Sequence, residues 1–158
     1  MSNIFEEKFL ADTNLFVYLL DKDSEFHKLT ARFFLACSRR KKTVYVAQQT
    51  LAEVISVMVK VYKLDKGTAI TKAKRLVQRQ IVQVITPLPT TYLNFFRCLK
   101  KVHGEDVFDA FLAATTLDNG INHIVTNNPR DFQGIKGLEV LGLGDISKLL
   151  DSKVGSEY

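Results

Sequence analysis

Three carboxylates and an amide lie where predicted strands give way to helices. Asp12 follows the apolar run 9–11, Glu53 lies in the first turn of a predicted helix, Asp109 lies early in an Ala-rich helix, and Asn128 follows a later strand. Carboxylates gathered at one place repel each other, and a divalent cation would offset that cost. Oxygen ligands of this kind suit Mg²⁺ or Mn²⁺, ions that activate water and stabilise charge on a phosphodiester.

The elements that would position these side chains alternate between strand and helix. Alternation of this kind predicts βαβ units, and hence an α/β fold with a single-domain parallel sheet flanked by helices on both faces. Every strand-to-helix connection of a parallel sheet lies at the same edge, where open α/β sheets bind ligands. Asp12, Glu53 and Asn128 should therefore converge. The predicted strands are 8–11, 43–47, 83–85, 122–126 and 138–141, and later helices include 66–79, 91–102, 106–118 and 145–150.

Each acid also has a purely structural interpretation. Asp12 could simply cap the helix that follows it. Thr50 and Glu53 have the spacing of a capping box, with Thr50 opening the helix and Glu53 reaching back to its amide. Asp106 and Asp109 repeat that spacing, so one could cap a helix while the other interacts with its dipole. These alternatives stay open for each residue taken alone.

Length and composition set limits on the class of protein. A chain of 158 residues predicts one domain, here residues 1–150 with a short C-terminal tail at 151–158. The net charge of +5 is compatible with a polyanionic partner. We expect no membrane span, no secretory signal and a cytoplasmic location, because no run of about 18 apolar residues occurs. A Gly-rich phosphate loop is also absent from the sequence.

Four motifs in this order resemble those of the PIN-domain ribonucleases. They are Asp12-Thr13-Asn14 after a strand, Glu53 in a helix, Asp109-Ala110-Phe111-Leu112-Ala113-Ala114, and the segment from Thr126 to Phe132 with its Asn128 and Asp131. The pattern is most similar to the VapC-type toxins of prokaryotic toxin–antitoxin modules. The resemblance extends from about Lys8 to Leu143, and so over nearly the whole chain.

The resemblance implies a function and an assembly. It implies metal-dependent hydrolysis of single-stranded RNA, with Mg²⁺ or Mn²⁺ held by Asp12, Glu53 and Asp109 and with Asn128 completing the catalytic site. Many members of the family have Asp at the fourth position, so the amide of Asn128 removes one negative charge that Asp131 could replace. Homodimers and a bound antitoxin protein are also typical of the family.

Two further residues could support the site that the resemblance implies. Thr13 could orient the Asp12 carboxylate or a metal-bound water. Asp106 could replace Asp109 as the third acid, although the register of the Asp-Ala-x-x-Ala-Ala motif favours Asp109.

Basic residues raise a second set of hypotheses. Arg130, beside the predicted site, could steer phosphate. The run 39–42 and the basic helix 66–79 could either contact RNA backbone or form solvated surface.

Two other functions compete with the nuclease hypothesis. One is a PIN-like scaffold that binds RNA or a protein without cutting, which Asn128 keeps open. The other is a hydrolase with an aspartyl nucleophile at Asp12, which would need a second Asp at the position of Asn14.

Overall fold

The computed structural model describes residues 8–102 and 106–152. Five strands and seven helices lie in these ranges, with a short 3₁₀ helix at Pro129–Phe132. The strands are β1 Phe9–Ala11, β2 Val44–Ala47, β3 Val82–Ile85, β4 His123–Val125 and β5 Glu139–Leu141. The helices are α1 Thr13–Leu20, α2 His27–Arg39, α3 Gln48–Lys60, α4 Lys66–Gln78, α5 Thr91–Leu99, α6 Val107–Asp118 and α7 Leu143–Ser152.

The five strands form one parallel sheet in the order β3-β2-β1-β4-β5. Leu10 on β1 pairs with Tyr45 on one side and with Ile124 on the other. The short strands are almost entirely apolar where they cross the centre, as expected for a sheet buried on both faces. The predicted α/β fold with a single parallel sheet is confirmed.

Two hydrophobic clusters cover the two faces of the sheet. Side chains alternate along a strand, so Phe9 and Ala11 join one cluster while Leu10 joins the other. The first cluster includes residues of α1 to α4 and α7, and the second includes residues of α5 and α6. The helices are therefore divided between both faces and hold the sheet between them.

The strand order places a topological switch point beside β1. The chain runs from β1 outward through β2 to β3 and then returns to the other side of β1 to form β4 and β5. Adjacent connections at the carboxyl ends of β1 and β4 consequently diverge, which leaves a crevice. Asp12 directly follows β1, and Thr126 directly follows β4, so both lie at this crevice.

The start of α3 differs from the prediction. Helix α3 begins at Gln48, directly after β2, and Thr50 lies inside it as a buried residue. The Thr50 hydroxyl has no hydrogen-bond partner among the described residues. The predicted helix start at Thr50 and its capping box with Glu53 are therefore wrong, because β2 leads straight into the helix without a turn.

The other elements lie close to their predicted positions. Helix α7 begins at Leu143 and extends to Ser152, and most of the predicted tail at 151–158 lies outside the described residues. No helix of the described ranges could cross a membrane. The longest have 13 residues, whereas a spanning helix needs about 20.

Candidate active site

Asp12 is a buried carboxylate at the end of the central strand. Only 9% of the residue is exposed, and its backbone amide donates to Val125 O at 3.0 Å, which extends the pairing of β1 with β4. Its Oδ1 accepts the Thr13 backbone N–H at 2.7 Å, and its Oδ2 accepts the Thr126 hydroxyl at 2.8 Å. The same residue is the N-cap of α1. Helix capping and a fixed carboxylate orientation are thus combined in one residue.

A hydrogen-bond network connects Asp12 to the loop after β4. The Asn14 amide lies 3.4 Å from both Asp12 Oδ2 and Thr126 Oγ1, and its Oδ1 accepts the Asn127 backbone N–H at 3.1 Å. Thr126 Oγ1 also accepts the Asn128 backbone N–H at 3.0 Å. Asn127 donates its side-chain amide to the Tyr18 hydroxyl at 2.8 Å. The connections after β1 and β4 are therefore held together at the crevice.

Glu53 is positioned from two directions. Its Oε2 accepts the Thr13 hydroxyl at 2.5 Å, and its Oε1 accepts the Gln49 side-chain amide at 3.0 Å. The Gln49 amide also lies 3.3 Å from the backbone oxygen of Phe108 at the start of α6. Thr13 therefore orients Asp12 through its backbone and Glu53 through its hydroxyl, and Gln49 joins α3 to α6.

Asp106 and Asp109 have different roles at the start of α6. Asp106 is the N-cap, and its Oδ1 accepts the Phe108 backbone N–H at 2.9 Å. Asp109 lies in the first turn and is partly buried. Burial is the largest cause that raises the pKa of Asp109 to about 7, and the charges of Asp106, Asp12, Asp131 and Glu53 add to it. Of these two acids, Asp109 is therefore the one whose pKa is raised by the neighbouring carboxylates.

The same field acts on Asp12. Burial raises the pKa of its carboxyl, and the charges of Glu53 and Asp131 raise it further. Hydrogen bonds from Thr126 and from the Thr13 backbone act in the opposite direction, because they stabilise the ionised form. Asp12, Glu53, Asp109 and Asp131 thus form one coupled group of negative charges at the carboxyl edge of the sheet.

The loop after β4 places its polar side chains differently. Asn128 is exposed, and its described hydrogen bond is made by its backbone N–H. Asp131, in the 3₁₀ helix Pro129–Phe132, contributes charge to the field at both Asp12 and Asp109. Arg130 is exposed beside it. Asp131 therefore adds negative charge at both Asp12 and Asp109, while Asp106 adds charge at Asp109.

The donor set matches a hard divalent cation in its chemistry. Within residues 8–102 and 106–152, no group of three or more His, Cys, Asp or Glu side chains is arranged to hold a metal ion as it stands. Mg²⁺ is usually held by one or two carboxylates, with water and substrate phosphate completing its shell. Asp12, Glu53 and Asp109 supply hard oxygen ligands and an excess of negative charge, so an open site of this kind fits them.

Comparison with known proteins identifies the family. The family model of the PIN domain matches residues 9–138. The chain belongs to the PIN-domain family. Members of this family are generally nucleases, and they typically use a divalent metal ion. The resemblance seen in the four sequence motifs is thereby confirmed.

Solved structures share the PIN fold at low sequence identity. VapBC2 from Rickettsia felis, bound to a DNA fragment from its promoter, has a TM-score of 0.66 and 19% identity over 85% of this chain and 97% of that one. DNA-bound VapBC from Salmonella typhimurium has a TM-score of 0.64 and 22% identity, with coverages of 87% and 98%. VapC20 from Mycobacterium tuberculosis, a toxin that cleaves the sarcin–ricin loop, has a TM-score of 0.63 and 14% identity, with coverages of 83% and 98%. No curated protein matches the chain.

The sequence did not predict the roles of three residues around these acids, although two of them, Asn14 and Thr126, belong to the motifs. Thr126 and Asn14 hold Asp12, and Gln49 holds Glu53. Thr126 ends a strand with a small polar side chain, which is a signal that the sequence contains. Its partner could not be identified without the adjacency of β1 and β4.

Proposed function

We propose that the protein is an endoribonuclease that hydrolyses phosphodiester bonds in single-stranded RNA with the help of Mg²⁺ or Mn²⁺. The observation that supports this most strongly is the convergence of Asp12, Glu53 and Asp109 at one sheet edge. They come from three separate elements of the chain. Capping alone does not explain this arrangement, because Asp106 already caps α6 and Glu53 makes no capping bond.

The chain's own residues would prepare the site before substrate binds. Thr126 and Thr13 fix the Asp12 carboxylate, while Thr13 and Gln49 fix Glu53. Each ionised carboxylate can accept about four hydrogen bonds or ligand contacts, so both retain free lone pairs. Asp12, Glu53 and Asp109 would hold the cation, with Asn128 and Asp131 at the rim and Arg130 steering phosphate. Such an ion, when bound, would activate a water molecule and stabilise charge on the phosphate.

A cleavage assay tests the proposal directly. Purified protein is incubated with a mixed pool of RNA in Mn²⁺, in Mg²⁺ or in EDTA, beside the variant Asp12→Asn. The matched control is Asp23→Asn, which makes the same chemical change at an exposed acid in the turn after α1. We expect cleavage by the wild type and by Asp23→Asn with metal, and none in EDTA.

Two outcomes would contradict the metal mechanism. One is equal cleavage by the wild type and Asp12→Asn, and the other is cleavage that EDTA does not affect. If the wild type binds RNA but cuts none of the pool in either metal, the protein is the RNA-binding scaffold that the sequence left as the alternative.

We further propose that this nuclease is the toxin of a toxin–antitoxin module in the cytoplasm. Support comes from the structural neighbours, several of which are toxin–antitoxin complexes. A short gene directly upstream that encodes the antitoxin would be expected. Co-expression of its product should lower the cleavage rate of the purified complex below that of the free protein, and unchanged cleavage would contradict the proposal.

The same proposal includes a homodimer. Tyr92, Leu93 and Phe96 on α5 are 54%, 59% and 56% exposed, which is unusual for large apolar side chains so close together. Light scattering after gel filtration should give twice the monomer mass for the wild type. Leu93→Lys should shift the protein to the monomer, whereas Val77→Lys, at an apolar site on α4 that is 37% exposed, should not.

A further inference from the structure

Phe108 has the most exposed aromatic side chain in the described part of the protein, at 64%. It lies in the first turn of α6, directly before Asp109. Nearby rings have partners: Phe111 packs edge-on against Phe95, with ring centroids 5.6 Å apart. Within residues 8–102 and 106–152, the Phe108 ring contacts no other ring. The proposed nuclease chemistry uses Asp109 but leaves this exposed ring without a function.

The backbone of Phe108 is held on both sides. Its N–H donates to Asp106 Oδ1 at 2.9 Å, and its carbonyl oxygen accepts the Gln49 side-chain amide at 3.3 Å. The same Gln49 nitrogen donates to Glu53 Oε1 at 3.0 Å. The backbone of Phe108 is therefore within two hydrogen-bond lengths of Glu53, and its neighbour in the chain is Asp109. Phe108 thus lies beside two of the three proposed metal ligands.

The surroundings of Phe108 favour a flat ligand without charge. Carboxylates of Asp106 and Asp109 follow on either side of it in the chain, so an acidic group placed on the ring would be repelled. A nucleobase is uncharged and stacks on an aromatic ring through its π face. Single-stranded RNA is commonly recognised by unstacked bases that lie on aromatic side chains. RNA that brings a phosphate to the acids would bring the adjoining base to Phe108.

Phe108 is distant from the middle of the exposed cluster on α5. Asn94, next to Leu93, donates its side-chain amide to Asp118 Oδ1 at 2.9 Å, which places this part of α5 beside the end of α6. Phe108 is at the start of α6, about 15 Å from Asp118 along the helix axis. A protein bound permanently over Phe108 would also cover Asp109, which the RNA has to reach. The position therefore favours substrate over a subunit interface.

We infer that Phe108 is a substrate-binding residue on which one nucleobase of the RNA stacks, next to the phosphate that the acids would cleave. This inference rests on the proposed ribonuclease function. It adds that part of the affinity for RNA comes from a base and is independent of phosphate charge. Because every base has a π face, this contribution applies to all four bases.

Three variants isolate the stacking contact. Phe108→Ala removes the ring, and the fold should be kept because the side chain is exposed, alanine favours helices and the cap from Asp106 uses only the backbone N–H. Phe108→Trp keeps an aromatic surface and should restore binding. The matched control is Phe96→Ala, which makes the same change at an exposed aromatic residue on α5.

Binding is measured with ligands that contain no phosphodiester bond, so Mg²⁺ can be present without cleavage. The amide NMR signals of α6 are followed during titration with AMP, CMP, GMP and UMP, and with ribose 5-phosphate, which lacks a base. The wild type and Phe96→Ala should bind each nucleotide at least about fivefold more tightly than ribose 5-phosphate, the lower limit for stacking of one base. Phe108→Ala should bind all five ligands about equally, and Phe108→Trp should resemble the wild type.

Cleavage kinetics with a mixed RNA pool give the second measurement. Stacking that is equal in the ground state and the transition state affects only substrate binding. Phe108→Ala should therefore raise KM about 5- to 150-fold, the range for loss of one stacked base, and leave kcat nearly unchanged. Phe108→Trp should restore KM, and a variant that merely disturbed the position of Asp109 would instead lower kcat.

Several outcomes would overturn the stacking role. Cleavage by a wild type that binds no nucleotide more tightly than ribose 5-phosphate would do so and leave the proposed function intact. Loss of the dimer in Phe108→Ala with an unchanged preference for nucleotides would assign the ring to a subunit interface instead. Base-dependent binding that Phe108→Ala abolishes, without cleavage by the wild type, would support the stacking role and count against the nuclease.

Discussion

The two edges of the sheet carry opposite charges, although the chain as a whole has a net charge of +5. At the carboxyl edge lie Asp12, Glu53, Asp109 and Asp131. At the amino edge, Lys41, Lys42 and Arg79 surround a cleft of about 510 Å³ formed where α2 and α4 lead into β2 and β3. The basic run 39–42 therefore lies at the edge opposite to the acids.

Helix dipoles favour the charges at both edges, but they account fully only for the amino edge. Helices α1, α3 and α6 begin at the carboxyl edge, and α2 and α4 end at the amino edge, so acids and cations each lie at the helix end that favours them. The cations of the amino edge are mostly exposed and need no further explanation. The acids differ, because burial and mutual repulsion raise the pKa of Asp12 and Asp109. Carboxylates that lie together although they repel each other indicate a functional site.

The largest expected difference between the edges is in cleavage rate. Asp12→Asn should lower kcat/KM about 100- to 1,000-fold, as expected when one preorganised electrostatic contact is removed. The double variant Lys41→Gln with Arg79→Gln should lower it less than about threefold, because exposed charges contribute little. Steady-state cleavage of one RNA at fixed salt measures both. A larger loss from the amino-edge pair would show that RNA binds across both edges.

Loss of the Thr126 hydroxyl should have the next largest effect. Thr126→Val removes a hydrogen bond to the buried Asp12 carboxylate, so unfolding should become easier by about 1.5–3 kcal/mol. Activity should fall about 10- to 100-fold, as it does when a residue that orients a metal ligand is lost. Urea denaturation and cleavage assays measure the two effects. Thr126→Ser keeps the hydroxyl and should restore most of both, and a serine variant as impaired as the valine variant would contradict the positioning role.

The next largest expected difference between the two edges is in how stability depends on pH. The pKa of Asp109 is raised from 3.8 to about 7 in the folded state, so its contribution to stability is fully present below pH 3.8 and is lost as the pH rises through about 7. Without metal, Asp109→Asn should therefore raise Tm at pH 8 by a few degrees, on the order of 2–4 °C per kcal/mol. The difference should shrink toward pH 4.

Thermal melts in EDTA and in Mg²⁺ measure this effect. Mg²⁺ should raise the Tm of the wild type at pH 8 more than that of Asp109→Asn, since the ion replaces the repulsion with attraction. Asp23→Asn should melt like the wild type under all these conditions. A wild-type Tm that rises with pH between 4 and 8 more than that of Asp109→Asn would contradict the assigned sign.

The smallest effect is expected from the backbone of the amino edge. Lys41 follows α2 with a φ of +54°, a conformation that favours glycine. Lys41→Gly should raise the free energy of unfolding by about 1 kcal/mol or less, because the left-handed strain is relieved at some cost in chain entropy. Cleavage should be unchanged. Lys60→Gly, at the last residue of α3 where the backbone is still helical, should instead lower stability, which provides the control.

Much of the fold could be predicted from local patterns. Alternating strands and helices gave the class of fold, and every predicted strand has a counterpart within one or two residues. The start of α3 was predicted wrongly because Thr50 has good capping chemistry locally, while β2 runs directly into the helix and buries that residue. Local propensity and tertiary packing competed there, and packing prevailed.

The sequence by itself determined the acids, their order and the sheet edge at which most of them meet, because parallel strands direct every strand-to-helix connection to one side. Only the tertiary structure decided which side chains hold those acids. Thr126 reaches Asp12 because β4 lies beside β1, and the two residues are 114 positions apart in the chain. Gln49 likewise reaches the backbone oxygen of Phe108 because the start of α3 lies beside the start of α6. Contacts between elements distant in sequence depend on strand order, which no local pattern encodes.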